Sequence, residues 1–124
     1  MPTVPALTDG RAALAALKRA LPRGAGSVVA CRSLEQVRGV LARRLVEAVV
    51  VSPRLAPLGA LQELARDFPA VPLVCYTAFR PDDGELLFAV ARTLRAPVAV
   101  EGIDDALLGG LLQRVGATAE RRRA

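Results

Sequence analysis

The chain has no histidine and no tryptophan, and among its 124 residues there are only three phenylalanines, one tyrosine and two cysteines. Each shortage excludes something. Without histidine there is no ordinary general base near neutral pH, no Ser-His or Cys-His nucleophile pair and little prospect of a zinc site. With so few aromatic rings the core must be filled by Leu, Val and Ala, and there is no platform on which nucleic-acid bases could stack. Cys31 and Cys75 each sit alone inside an apolar run, which gives neither a metal-ligand spacing nor a redox pair, so both read as small hydrophobes. No stretch approaches the roughly 18 consecutive apolar residues of a membrane span, and the N-terminus lacks the basic-then-apolar layout of a signal peptide. The expected setting is a reducing cytoplasm, away from membranes.

What the chain does have is apolar content, 52% of it, within a length that suits one domain. The formal charge of +5 suggests nucleic acid until its location is considered. Residues 114–124 hold four arginines and one glutamate, a net +3, which leaves only +2 for everything before them. The globular body is therefore close to balanced and shows no dense basic face. Residues 1–116 read as the folded domain and residues 117–124 as a basic tail or linker.

Along the chain, short apolar strands alternate with amphipathic helix patterns. Val4 to Leu7 suggests a first strand, with Pro5 confining it to an edge or an irregular conformation. Leu14, Leu17 and Leu21 recur at helical spacing, with Lys18 and Arg19 facing outward, until Pro22 and Gly24 stop the helix. Ser27 to Cys31 is the second strand. Ser33-Leu34-Glu35-Gln36 is a capping box that opens a helix with Leu34, Val37, Val40 and Leu41 on one face. Ala48-Val49-Val50-Val51 is a buried strand running into Ser52-Pro53-Arg54-Leu55. Leu61, Leu64, Ala65 and Phe68 mark the next helix, which should end before Pro69. Val71 to Tyr76 is an unbroken apolar strand. Pro81-Asp82-Asp83 then starts a helix whose inward stripe is Leu86, Leu87, Val90, Ala91 and Leu94. Pro97 to Val100 is the last strand, after which Asp104 or Asp105 caps a final helix carrying Leu107, Leu108, Leu111, Leu112 and Val115. Such alternation implies an α/β fold with a parallel sheet, right-handed crossovers and helices on both faces. Gly24-Ala25-Gly26 precedes a strand instead of following one, so it is not a dinucleotide fingerprint.

In element order and length the chain resembles the receiver domain of bacterial response regulators, best from Glu47 to Leu112. In that family the third strand ends in a phosphorylatable Asp, the fourth in Thr or Ser and the fifth in Lys-Pro; here Ser52, Thr77 and Glu101-Gly102 stand in those places. Phe68-Pro69-Ala70-Val71-Pro72-Leu73-Val74 also looks like the family's approach to its fourth strand. The resemblance implies a three-layer α/β/α fold with a five-stranded parallel sheet in the order 2-1-3-4-5.

Receiver chemistry moves a phosphoryl group onto a carboxylate with the help of a divalent cation and a lysine, which offset charge on the phosphoryl oxygens. In this chain the acidic pair is at best Thr8-Asp9, the acceptor is a hydroxyl, and the cationic residue is replaced by Glu101. The expectation is a pseudo-receiver with no catalytic residue, metal or cofactor and a vestigial pocket at Asp9, Ser52, Thr77 and Glu101. Each of these residues also has a plain structural reading: Ser52 and Thr77 as strand-end hydroxyls, and Asp9 as the N-cap of the first helix.

By the same resemblance, the face formed by the fourth helix, fifth strand and fifth helix is the surface for a protein partner or a homodimer, with Arg92, Arg95, Glu101, Asp104 and Gln113 as candidate contacts. The order of elements further resembles the N-terminal part of AraC-type helix-turn-helix transcription regulators. DNA would then be reached only through a C-terminal domain absent from these residues, which hold no helix-turn-helix of their own. The tail Ala119-Glu120-Arg121-Arg122-Arg123 fits either a solvated end or a linker. The alternative expectation is a free-standing adaptor, or a sensor binding a small amine or cationic ligand in the vestigial pocket.

Overall fold

Five short β-branched runs form the parallel sheet, and the amphipathic segments between them fold back across its faces. The computed structural model describes residues 3–21, 27–78, 81–94, 96–101, 104, 108–110 and 112. The elements are β1 (Thr3–Leu7), α1 (Arg11–Ala20), β2 (Ser27–Ala30), α2 (Leu34–Arg43), β3 (Val49–Val51), α3 (Leu58–Asp67), β4 (Leu73–Thr77), a 3₁₀ turn at Pro81–Asp83, α4 (Gly84–Leu94) and β5 (Val98–Val100). All pairings are parallel, and the strand order is β2-β1-β3-β4-β5, as the resemblance implies.

The period of two along the strands divides the core into two halves. Val4, Ala6, Val50, Val74, Tyr76 and Ala99 point to one face, where they pack with Ala13, Ala16 and Leu17 of α1 and with Leu108 and Leu112. Leu7, Val49, Val51 and Cys75 point to the other, against Val37 of α2, Leu61 and Leu64 of α3 and Val90 of α4. The result is three layers, with β3 and most of β4 buried on both sides. Residues 108–110 are helical, and Leu108 and Leu112 are buried as expected for the last helix. The expected tail at residues 117–124 lies outside the described residues.

β1 departs from expectation. It is an interior strand, paired with β2 on one side and β3 on the other, although Pro5 has no N–H to give. The reason is local. On the β3 side the pairing runs from the single Thr3–Val46 bridge to the Ala6–Val50 register, with a bend at Glu47 between them. Thr3 donates to the Leu45 carbonyl and Ser52 donates to the Leu7 carbonyl, so the odd-numbered residues of β1 face β3. Pro5 meets the interrupted stretch, where its missing donor costs no ladder bond.

α2 opens as expected. Gln36 N–H donates to Ser33 Oγ at 3.3 Å, and Arg32 N–H donates to Gln36 Oε1 at 2.6 Å, one residue earlier than the usual reciprocal bond. In α4 only Val90 of the expected stripe is fully buried; Leu86, Leu87 and Leu94 are half-buried, and Ala91 faces out. Phe88, four residues before the exposed Arg92, is 67% exposed.

Candidate functional site

The loops following β1, β3, β4 and β5 leave the same edge of the sheet, because every strand is parallel. Each contributes to the site. After β1 the chain turns at Gly10, whose φ of +104° is a conformation that L side chains rarely adopt. Gly10, which has no side chain to offer, is also the N-cap of α1, and the described residues show no side-chain cap there. Asp9 therefore does not cap the helix, as the plain reading had it. Its carboxylate turns toward the β3 loop.

Ser52 follows β3 and has no exposed surface. Its N–H donates to the Leu7 carbonyl at 2.7 Å, and Leu55 N–H donates to the Ser52 carbonyl at 3.0 Å, closing a turn with the buried Pro53 at its second position. Ser52 Oγ donates to Thr77 Oγ1 at 3.2 Å, and Thr77 Oγ1 in turn reaches the Ala78 carbonyl at 3.4 Å. Both hydroxyls are wholly buried, so each needs a partner, and this short relay supplies it. Among the described residues, the partner of Ser52 Oγ is another hydroxyl, not a base that could activate it.

Arg54, two residues on, was not singled out by sequence reasoning. Its side chain is 13% exposed; Nη1 lies 3.5 Å from Asp9 Oδ2, and Nη2 contacts Asp83 Oδ2. The same nitrogen makes no hydrogen bond among the described residues, so the charge of Asp83 alone offsets its burial. Asp83 is 15% exposed and closes the 3₁₀ turn that leads into α4. One signal was available in the sequence: a basic residue just past the strand end, in a loop where the resemblance calls for an external cation.

The four residues of the vestigial pocket do converge on this edge, but not as one cluster of charges. Ser52 and Thr77 are directly bonded, and Asp9 belongs with Arg54. Glu101 joins through the backbone, its N–H donating to the Thr77 carbonyl at 2.8 Å. Of the surface residues, Arg92 is exposed on α4. Asp104 Oδ2 accepts from Val100 N–H at 2.7 Å while Asp104 N–H donates to the Val100 carbonyl at 2.8 Å, which folds the chain tightly after β5. Arg95 and Gln113 lie outside the described residues.

Elsewhere, a groove of about 510 Å³ runs between α2 and β2, lined by Val29, Gln36, Gly39, Val40 and Arg43, away from the strand ends that carry Ser52 and Thr77. Burial pushes the Cys75 thiol up to about 11 and also raises that of Cys31, so neither is a ready nucleophile. Among the described residues no group of three or more His, Cys, Asp or Glu side chains could hold a metal ion, and no helix is long and apolar enough to cross a membrane.

No protein-family model matches the chain, and no curated protein matches its sequence. Solved structures do match its fold. The N-terminal signal receiver domain of a two-component response regulator from Bacteroides fragilis is 21% identical, with a TM-score of 0.76 over 94% of this chain and 97% of that one. The signal receiver domain of an HD domain-containing protein from Pseudomonas fluorescens is 18% identical, with a TM-score of 0.79 over 97% and 98%. A two-component transcriptional regulator AraC from Clostridium phytofermentans is 13% identical, with a TM-score of 0.75 over 100% and 99%. The fold is thus that of receiver domains.

Proposed function

We propose that this chain is a receiver-like regulatory domain that acts through protein contacts and is not switched by phosphorylation. One observation carries the reading: the strand end that holds the acceptor in a receiver holds Ser52, wholly buried and hydrogen-bonded to Thr77. A hydroxyl there lacks an activating base, and the nearby guanidinium of Arg54 is already paired with Asp9 and Asp83. Glu101 follows β5 where a receiver has lysine, so negative charge building on a transferred phosphoryl group would meet another carboxylate. The domain has no catalytic activity of its own and needs no cofactor or metal.

Its output surface is the exposed side of α4 with the segment after β5, where Phe88 and Arg92 lie one helical turn apart. The partner is a protein or a second copy of this chain. The likeness to a two-component transcriptional regulator supports a position ahead of a DNA-binding reader, through which alone DNA would be touched. Two buried free thiols suit a reducing cytoplasm.

The test is intact-protein mass spectrometry after incubation with acetyl phosphate and magnesium, together with a thermal scan in beryllofluoride and magnesium. No mass gain and no shift in Tm are expected. A gain of one phosphoryl group that disappears in Ser52→Ala would refute the reading.

A further inference from the structure

Arg54 and Leu55 occupy the turn after β3 in the reverse of the order that polarity favours. The guanidinium is turned in, with 13% of the side chain exposed, and its apolar neighbour Leu55 is turned out, 46% exposed. Removing a guanidinium from water is costly unless carboxylates meet it with good geometry. Two carboxylates lie beside it as ion-pair partners, and they come from different loops: Asp9 follows β1, and Asp83 immediately precedes Gly84, the first residue of α4. Arg54 therefore joins three segments of chain at one point. It is also the cation between two carboxylates at the edge where a receiver would hold a divalent ion between acidic side chains.

We propose that Arg54 is a built-in cation that clamps the start of α4 to the ends of β1 and β3, so that the face bearing Phe88 and Arg92 is held in one position by the chain itself. The regulatory meaning of the clamp rests on the preceding reading of the site as phosphorylation-independent. The mechanical claim stands by itself. A guanidinium suits the task because its planar fork presents several donors to two acceptors at once, which a lysine ammonium on its flexible stem does less well. Arg38 and Asp67, 2.8 Å apart but 35% and 52% exposed, form an ion pair that water screens and provide a natural control.

The experiment is amide hydrogen exchange on the full chain, read by mass spectrometry for peptides covering residues 82–90, in wild type, Arg54→Gln, Asp83→Asn, the double variant and Arg38→Gln. Far-UV circular dichroism first establishes that each variant is folded. Arg54→Gln and Asp83→Asn are each expected to speed exchange in this segment by about tenfold, the equivalent of about 1.4 kcal/mol. The double variant should exchange no faster than the faster single one, because both remove the same contact. Arg54→Lys should fall between wild type and Arg54→Gln, and Arg38→Gln should leave the segment unchanged. Should Arg54→Gln fail to fold, Asp83→Asn, which keeps the side-chain shape, answers the question alone. Unchanged exchange in residues 82–90, or effects that simply add, would overturn the clamp. Uptake of beryllofluoride by the wild type would instead overturn the inert-pocket reading and leave the exchange comparison intact, so the two failures are distinguishable.

Discussion

Ser52→Asp would put an acidic residue at the end of β3, and the surroundings determine what that costs. The Ser52 side chain has no exposed surface, so the new carboxylate is desolvated. Full burial raises a carboxyl pKa by roughly 3–5 units, and each unit is worth about 1.4 kcal/mol. The Thr77 hydroxyl, now 3.2 Å from Ser52 Oγ, can turn to donate to the charged oxygen and recover about 1.5–2 kcal/mol. A net rise of about 2 units follows, from the usual value near 3.9 to about 6, which makes the variant about 3 kcal/mol less stable at pH 7. Because the folded-state pKa is raised, the penalty is absent below about pH 4 and grows as pH climbs through the folded value; at pH 5 it falls to about half. Urea unfolding of both proteins at pH 7 and pH 5 measures this. With a slope of about 1–3 kcal/mol per molar, the midpoint should fall by about 1–3 M at pH 7 and by clearly less at pH 5. Equal midpoints and equal pH dependence would refute the reasoning, since they would mean that water or a cation reaches position 52 despite its burial.

Two further outcomes concern the scaffold. A Cβ added at Gly109 would sit 2.7 Å from the Ala20 backbone carbonyl oxygen, a position only backbone movement can relieve. Gly109→Ala should therefore cost about 1–3 kcal/mol in urea unfolding, whereas Gly39→Ala, at a site with open space, should not destabilise α2. The Cys75 thiol, held at about 11, is neutral in the folded state at a pH where the unfolded chain has begun to ionise it. Its contribution is therefore complete below about pH 8.5 and is lost as pH rises toward 11. Wild type should lose about 2 kcal/mol more than Cys75→Val between pH 8 and pH 10.5, measured as the difference in urea midpoints; parallel loss in the two proteins would contradict it.

The layout of strands and helices was legible because it rests on local periodicity. Alternation along β3 and β4 and three-to-four spacing in α1, α2 and α3 each report a buried face that any tertiary arrangement must cover. The capping box at Ser33 was legible for the same reason, being complete within five residues. Pro5 misled because its cost depends on a bend near Glu47, more than forty residues away, which no local rule reveals. The same distance hid the centre of the site. Arg54 meets Asp9 across 45 residues of chain, and its one local signal, a basic residue just past the end of β3, does not tell that it faces inward. Asp9, by contrast, follows a strand and precedes a helix, so its local signature is that of a cap. That signature lost to a long-range charge partner once Gly10 took the turn. The convergence of Ser52, Thr77 and Glu101 was legible as strand ends, since parallel topology alone brings them to one edge.

The Ser52–Thr77 hydroxyl relay also bears on how such a domain changes over generations. Removing the Thr77 hydroxyl strands Ser52 Oγ in a dry interior, removing the Ser52 hydroxyl leaves Thr77 with only its long bond to the Ala78 carbonyl, and introducing an acid alone strands a charge. Removing the Thr77 hydroxyl or adding an acid at this corner thus lowers stability, which makes the corner resistant to those single replacements. On the proposed reading, acid-dependent signalling at this corner would need several coordinated replacements, whereas the exposed side of α4 meets no such constraint.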